Sequence, residues 1–298
     1  MSEDSTVHLG YIGLGNIGGP MAARLAVWPG GLTVFDLSGD AVAKLVGAGA
    51  AQADSVAALA ERADIIGICV VTDEQVRSVV GELLTTAKPG TIITVHSTIG
   101  PETAIDLAAT CAEKDVHLLD APISGGAPGA EQGRLAIMIG GPRAAYDRVK
   151  QPFKLAGDMV VHAGDDVGAG TRMKLARNLL HFISFTATTE ASRLAEAAGI
   201  DLVKLGKVVR HTDAITGGAG AIMLRDTTAP IEPDDFWHGV FTHVVNLGEK
   251  DLDLALALGR RLDVDLPLGT IARANLAAGL GIVENPGDVH TEDKGEQA

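Results

Sequence analysis

Tyr11-Ile12-Gly13-Leu14-Gly15-Asn16-Ile17-Gly18-Gly19-Pro20-Met21 is the stretch whose reading decides the fold. It follows a short apolar run, Val7 to Ile12, and opens a helical pattern over 17–27. A second apolar run, Leu32-Thr33-Val34-Phe35, then ends on the acid Asp36. Glycines at these intervals, taken alone, suit a tight turn in any α/β protein. Set between a strand and a helix and answered by an acid, they are the fingerprint of a dinucleotide-binding βαβ unit. Gly13 then permits the turn, Gly15 lets backbone N–H groups approach a pyrophosphate, and Gly18 lets the helix pack close to the strand. The helix N-terminus holds the anion. Asp36 accepts hydrogen bonds from the adenosine ribose and repels a 2′-phosphate, which favours NAD over NADP.

Outward from this unit, apolar runs alternate with helical patterns up to about residue 165, the signature of a parallel sheet covered by helices. Strands are expected near 7–12, 32–36, 64–71, 91–96, 116–120, 134–140 and 158–162. Helices are expected near 17–27, 39–47, 55–62, 73–84, 101–113 and 142–154. From Gly168 the pattern becomes helical throughout, with segments near 169–198, 201–210, 239–260 and 267–280. The fold class is therefore α/β: an N-terminal Rossmann doubly wound sheet, a long interdomain helix and an all-α C-terminal domain. The expected division is 1–166 for nucleotide binding, 167–284 for substrate binding and oligomerisation, and a disordered polar tail over 285–298.

Composition narrows the partners. The chain has 298 residues, enough for two domains, and 24 Lys+Arg against 38 Asp+Glu give a formal net charge of -14. That balance argues against a nucleic-acid footprint, so an anionic ligand needs a local positive pocket. Two cysteines, Cys69 and Cys111, both in apolar contexts, suggest buried thiols rather than a disulfide or metal site. The nine histidines include no HExxH, and no metal is expected. No apolar stretch is long enough for a membrane span, and the polar, acidic start lacks a secretory pattern, so a cytoplasmic location is expected.

Lys174 falls about one turn into the helix that begins after Gly168, and Asn178 at i+4 shares its face. A lysine there, desolvated and near the positive helix end, has its pKa lowered and can accept a proton near neutral pH. Most helical lysines are merely solvated, and position alone does not decide between the two. The surrounding sequence does: the chain resembles the β-hydroxyacid dehydrogenase family, of which 3-hydroxyisobutyrate dehydrogenase is the best-known member. The resemblance covers roughly residues 7 to 283. It is carried by the N-terminal glycine motif, by Asp120-Ala121-Pro122-Ile123-Ser124-Gly125-Gly126 continuing to Gly140-Gly141, by Gly168-Ala169-Gly170-Thr171-Arg172-Met173-Lys174 through Asn178, and by Lys250-Asp251-Leu252.

The resemblance implies a role for each matching residue. Gly13, Leu14, Gly15, Asn16, Ile17 and Asp36 bind the cofactor, with Val71, Thr72 and Thr98 added where strands end. Ser124, Gly125 and Gly126 receive the substrate carboxylate, although Gly125-Gly126 alone equally supports a plain β-turn. Asn178 orients the substrate, and Lys174 is the catalytic proton acceptor. Lys250 closes over nicotinamide and substrate and further depresses the Lys174 pKa. Ser97 and Thr98 alternatively cap the helix that starts near Pro101. The implied activity is transfer of a hydride between NAD, less favourably NADP, and a small 3-hydroxy acid or its semialdehyde, in a homodimer or homotetramer. An imine reductase or a non-catalytic NAD(P)-binding protein on the same fold are the alternatives, and both typically lack the lysine that this chain keeps at 174.

Two departures from the family pattern stand out. Arg177 replaces a frequent asparagine, placing an extra cation beside the catalytic face. The segment Asp235 to His243, expected to wall the substrate pocket, does not match the usual sequence. His243, Asn246 and Lys250 share one helix face there, and His243 reads equally as a pocket residue or as a merely solvated or core-satisfied one.

Overall fold

The computed structural model describes residues 7–222, 224, 225, 227 and 229–282. The tail expected to be disordered, 285–298, lies outside them. The chain divides into two compact units, Met1–Asn178 and Leu179–Ala298.

Among the described residues, the first unit carries nine strands: β1 (Leu9–Ile12), β2 (Leu32–Phe35), β3 (Ala51–Gln52), β4 (Ile65–Ile68), β5 (Ile92–Val95), β6 (His117–Asp120), β7 (Ile123–Ser124), β8 (Ala136–Gly140) and β9 (Met159–Gly164). Helices α1 (Gly18–Leu25), α2 (Gly39–Gly47), α3 (Val56–Ala60), α4 (Asp73–Leu83), α5 (Pro101–Ala112), α6 (Gly126–Gln132) and α7 (Arg143–Phe153) alternate with them. The sheet order is β3-β2-β1-β4-β5-β6-β8-β7, with β9 beside β8, and all pairings from β3 to β6 are parallel. β8 runs antiparallel to β6 and β7. Strand order reverses between β1 and β4, so the crevice beyond their carboxyl ends is the place for a ligand.

The run of β-branched and aliphatic residues in β4 and β5 has a simple cause: every residue of both strands is buried. A parallel sheet covered on both faces asks for that. Successive residues feed opposite faces, so Tyr11, Ile65 and Ile92 join one core cluster and Ile12, Ile66 and Ile93 the other. His96, just past β5, is fully enclosed and stacks on Tyr11 with ring centroids 5.8 Å apart. Burial pulls its pKa down to about 4, so it is a neutral core histidine.

The long helix α8 (Ala169–Ala197) joins the units; α9 (Leu202–Thr216), α10 (Phe236–Arg261) and α11 (Pro267–Gly279) follow. In the second unit, Ile231, Phe241, Val245 and Leu280 form a small core. Glu190 of α8 is buried and accepts the Leu268 and Gly269 N–H groups at 3.0 and 2.8 Å, capping α11.

The differences from expectation are local. β3, β7 and α6 were not read from the sequence: two are two-residue strands, and the third is a seven-residue helix in which three residues are glycine or proline. α9 runs six residues further than expected, to Thr216, and stops at Gly217, which takes φ 90°. The first compact unit extends past 166 to Asn178 because the opening turns of α8 lie against the sheet. A Cβ on Gly170 would run into the Met138 carbonyl oxygen of β8.

Candidate active site

The glycine turn sits where β1 hands over to α1. Gly13 takes φ 90°, and a Cβ there would collide with the Cys69 carbonyl at the end of β4. A Cβ on Gly18 would collide with the Gly13 carbonyl, so α1 can approach β1 this closely only with glycine. Gly15 differs: among the described residues, nothing lies within 4 Å of where its Cβ would be. Its neighbourhood is open on the side a ligand would approach. α1 follows Ile17, which gives it no side-chain cap, and has no acid in its first turn. Its end is thus free to face an anion.

Asp36 follows the end of β2, beside this turn. Its Oδ2 accepts the Leu14 N–H at 2.6 Å and its Oδ1 the Ser38 N–H at 2.7 Å. The carboxylate thereby braces the glycine turn, and each oxygen retains a lone pair for a hydroxyl donor. A cavity of ≈ 440 Å³ opens here, lined by Gly13, Gly15, Asp36, Leu37, Val71 and Gln75 among others. Open space at Gly15, an uncapped helix end and a carboxylate with free lone pairs fit a dinucleotide. Of the residues assigned to that role, Gly13, Gly15, Asp36 and Val71 share the cavity. Leu14 and Asn16 line a neighbouring one with Gly15, and Ile17 is the first residue of the helix entry.

Thr72 starts α4: with Gln75 it forms a capping box, its hydroxyl accepting the Gln75 N–H at 3.2 Å. Thr98 is exposed. Neither it nor Ser97 caps α5, whose first residue follows Gly100 with no side-chain cap. Ser97 instead ties two strand ends together, accepting the Val70 N–H at 3.0 Å and donating to the Val70 carbonyl at 2.7 Å. The two cysteines are half-buried (Cys69) and buried (Cys111), and burial pushes both thiols up, that of Cys111 to about 12. Neither is a poised nucleophile.

The proposed carboxylate loop lies on the other side of the sheet order. Ser124 ends β7, paired with Ala136 of β8. Gly125 and Gly126 take φ 130° and 64° and open helix α6, so they form a helix entry rather than a plain β-turn. Lys174 meets this segment directly. It is 8% exposed, and its Nζ donates to the Ile123 carbonyl at 2.6 Å, next to Ser124. Its pKa is lowered first by burial and then by the Arg177 guanidinium. The positive end of α8, expected to share in that shift, is already met by the carboxylate of Asp120, which accepts the Gly168 and Thr171 N–H groups. Asn178 is half-buried, and its Oδ1 accepts from Arg177 Nη1 at 3.2 Å.

Lys250 belongs to the second unit. It is exposed on α10 and paired with Asp251 at 3.4 Å, beside Asn246, Glu249 and Arg273 around an open cavity. His243 is exposed. Trp237 and Phe241, from the unfamiliar segment before Lys250, stack at 5.8 Å and pack in the core of that unit.

Asp120 is the residue that sequence reasoning passed over, although it stands within a motif that carries the family resemblance. The signal was present: like Asp36, it is an acid standing where an apolar strand ends at the carboxyl edge of the sheet.

Two family models match. One, described as the NAD-binding domain of 6-phosphogluconate dehydrogenase, spans residues 8–164. The other, described as NAD-binding of NADP-dependent 3-hydroxyisobutyrate dehydrogenase, spans 168–290. An uncharacterized oxidoreductase of Mycobacterium tuberculosis is 57% identical over 284 residues, 94% of this chain and 96% of that one. A 3-hydroxyisobutyrate dehydrogenase of Pseudomonas aeruginosa is 36% identical over 89% of each chain. A solved structure from Mycobacterium avium, 57% identical, covers 93% of this chain and 99% of its own, with a TM-score of 0.90.

Proposed function

This chain belongs to the β-hydroxyacid dehydrogenase family of NAD(P)-binding oxidoreductases, and from that premise we propose that it oxidises a small 3-hydroxy acid, of the 3-hydroxyisobutyrate kind, to its semialdehyde. The observation that carries this is Lys174: an amine held out of water at a carbonyl next to Ser124, with its pKa lowered. Among small carboxylates, the relative from Pseudomonas aeruginosa is named for 3-hydroxyisobutyrate, which sets the size and class of substrate proposed. The imine reductase alternative is disfavoured by the same lysine.

Ser124, Gly125 and Gly126 receive the substrate carboxylate through a hydroxyl and the amides that start α6. Asn178, its carbonyl oxygen engaged by Arg177, is left with its amide N–H groups to donate to the substrate. Lys174 accepts the hydroxyl proton as the C–O bond becomes a carbonyl, and returns it in reverse. Gly13, Leu14, Gly15, Asn16, Ile17 and Asp36 would hold the dinucleotide, with Val71, Thr72 and Thr98 nearby in sequence at the strand ends. Bound NAD supplies the acceptor for the hydride. Lys250 is assigned a substrate and cofactor contact from the family pattern. Following nicotinamide absorbance with 3-hydroxyisobutyrate, L-serine and related acids tests the proposal. Turnover of at least one is expected, and none with any would overturn it.

NAD is proposed over NADP. A 2′-phosphate would face Asp36 and the exposed side chain of Leu37 rather than a cation. The ratio of kcat/KM for NAD to that for NADP is expected to be at least about tenfold, or about 1.4 kcal/mol. Equal use of the two would remove the role given to Asp36.

A homodimer or homotetramer is also proposed. α9 has no buried residue, and Val203, Val208 and Ile215 on it, with Leu179, Phe182 and Phe185 on α8, are more than half exposed. Large apolar side chains in this number call for a covering surface, which a second copy supplies symmetrically. Light scattering is expected to give at least twice the chain mass; a monomer at micromolar concentration would contradict it.

A further inference from the structure

Asp120 is the last residue of β6 and is fully buried. Its Oδ1 accepts the Gly168 N–H at 2.6 Å and its Oδ2 the Thr171 N–H at 2.5 Å. These amides open α8, where first-turn donors have no intrahelical acceptor. Among the described residues, no lysine, arginine or histidine forms an ion pair with this carboxylate. A buried carboxylate without a cation is costly, and here the positive end of α8 is what faces it.

The junction has no slack. A Cβ on Gly140 would run into Asp120 Oδ1 and lie 2.6 Å from the Gly170 nitrogen, and one on Gly170 would run into the Met138 carbonyl. Lys174 follows Thr171 by three residues and Gly170 by four, so it stands about one turn above this anchor on the same helix. Its amine returns to the Ile123 carbonyl at 2.6 Å. The short segment 120–123 therefore grips α8 twice, through a carboxylate at its start and a carbonyl at its end.

We propose that Asp120 is a positioning residue: by anchoring the first turn of α8 to the end of β6, it fixes where the Lys174 amine sits against Ile123. This rests on the proton-acceptor role given to Lys174 above, but the anchor can be tested apart from it. Asp120→Asn preserves the shape and removes one of the two acceptors, turning an amide N–H toward a backbone N–H.

Two readouts are expected from the full-length variant. Turnover falls on the order of 10–100-fold, as for a displaced catalytic group, with the KM for NAD little changed. Acetylation of Lys174 by acetic anhydride, read by mass spectrometry against the exposed Lys250 as internal standard, accelerates severalfold. The labelling needs no substrate, so it decides the anchor even if no hydroxy acid is turned over. A folded variant that labels Lys174 at the wild-type rate overturns the proposal. If the variant does not fold, hydrogen exchange in the wild-type protein decides: the Gly168 and Thr171 amides are expected to be protected despite their place in a first turn, and exchange at free-amide rates overturns it.

Discussion

Lys174→Ala is expected to lose about 10²–10⁴-fold in turnover while binding NAD nearly as well as the wild type. The size follows from what is removed. Lys174 is 8% exposed and, among the described residues, its amine has one hydrogen-bond partner, the Ile123 carbonyl, which cannot take its place as a base. The dinucleotide cavity is lined by residues at the ends of β1, β2 and β4 and on α3 and α4, whereas the Lys174 amine is hydrogen-bonded to Ile123, which is not among them. Binding and turnover should therefore separate. The pH dependence has a sign that checks the same role. Burial and Arg177 lower the Lys174 pKa from the ordinary 10.5, so the neutral acceptor form appears at lower pH than in a free lysine. Oxidation of the hydroxy acid should rise with pH through that pKa and level off. Reduction of the semialdehyde, which needs the protonated amine, should fall through it. Arg177→Ala should move both curves to higher pH. A Lys174→Ala variant that turns over near the wild-type rate, measured by nicotinamide absorbance, would contradict the mechanism.

Gly13→Ala and Gly15→Ala are expected to fail in different ways although the residues are two apart. At Gly13 a methyl group would meet the Cys69 carbonyl, and φ is 90°, a region that costs alanine additional strain. Overpacking against backbone and a left-handed conformation together are expected to destabilise the first unit by about 3 kcal/mol. Thermal or urea unfolding measures that loss. At Gly15 the methyl group would enter open space and φ is not positive, so stability should stay within about 0.5 kcal/mol. NAD affinity should nevertheless fall by about tenfold or more, about 1.4 kcal/mol, because the methyl occupies the approach to the backbone amides. Calorimetric titration of the folded Gly15→Ala variant checks this. Unchanged affinity would mean that the open side of Gly15 is not where the pyrophosphate lies.

The contrast between those two glycines shows what was legible in the sequence and what was not. The spacing Gly13, Gly15, Gly18 followed by Asp36 announced the βαβ unit around β1: Gly13 and Gly18 answer close backbone contacts, and Gly15 leaves open space. The buried strands were equally plain, since residues such as Ile65 to Ile68 leave no polar face to present to water. The two-residue strands β3 and β7 carry too few residues for any period to show. They exist because neighbouring strands supply their hydrogen bonds.

At the site, helix spacing put Lys174 and Asn178 on one face and the family resemblance implied their roles, but the physical origin of the Lys174 shift was only partly visible. Burial was foreseen. Arg177 was read as an extra cation beside the catalytic face, and it is the second cause of the shift. That Asp120 faces the end of α8 depends on contacts between residues 48 and 51 positions apart, which a helical wheel does not give. Ser97 and Thr72 illustrate the same limit. Both stand at strand ends, where ligands bind, yet one ties Val70 in place and the other starts α4. The unfamiliar segment before Lys250 proved in part to be core, with Phe241 3% exposed, so its oddity reflects packing of the second unit as well as any pocket.

Direct hydride transfer between the carbinol carbon of a small 3-hydroxy acid and nicotinamide can be followed with an isotope. The enzyme is given NAD and 3-hydroxyisobutyrate, or the best substrate among its close analogues, deuterated at the carbinol carbon, and the reduced nicotinamide is weighed by mass spectrometry. One deuterium in the reduced cofactor, with none acquired from solvent, is the predicted result. Reduced cofactor without the label, or no reduction with any such acid while a cyclic imine is reduced, would contradict the account.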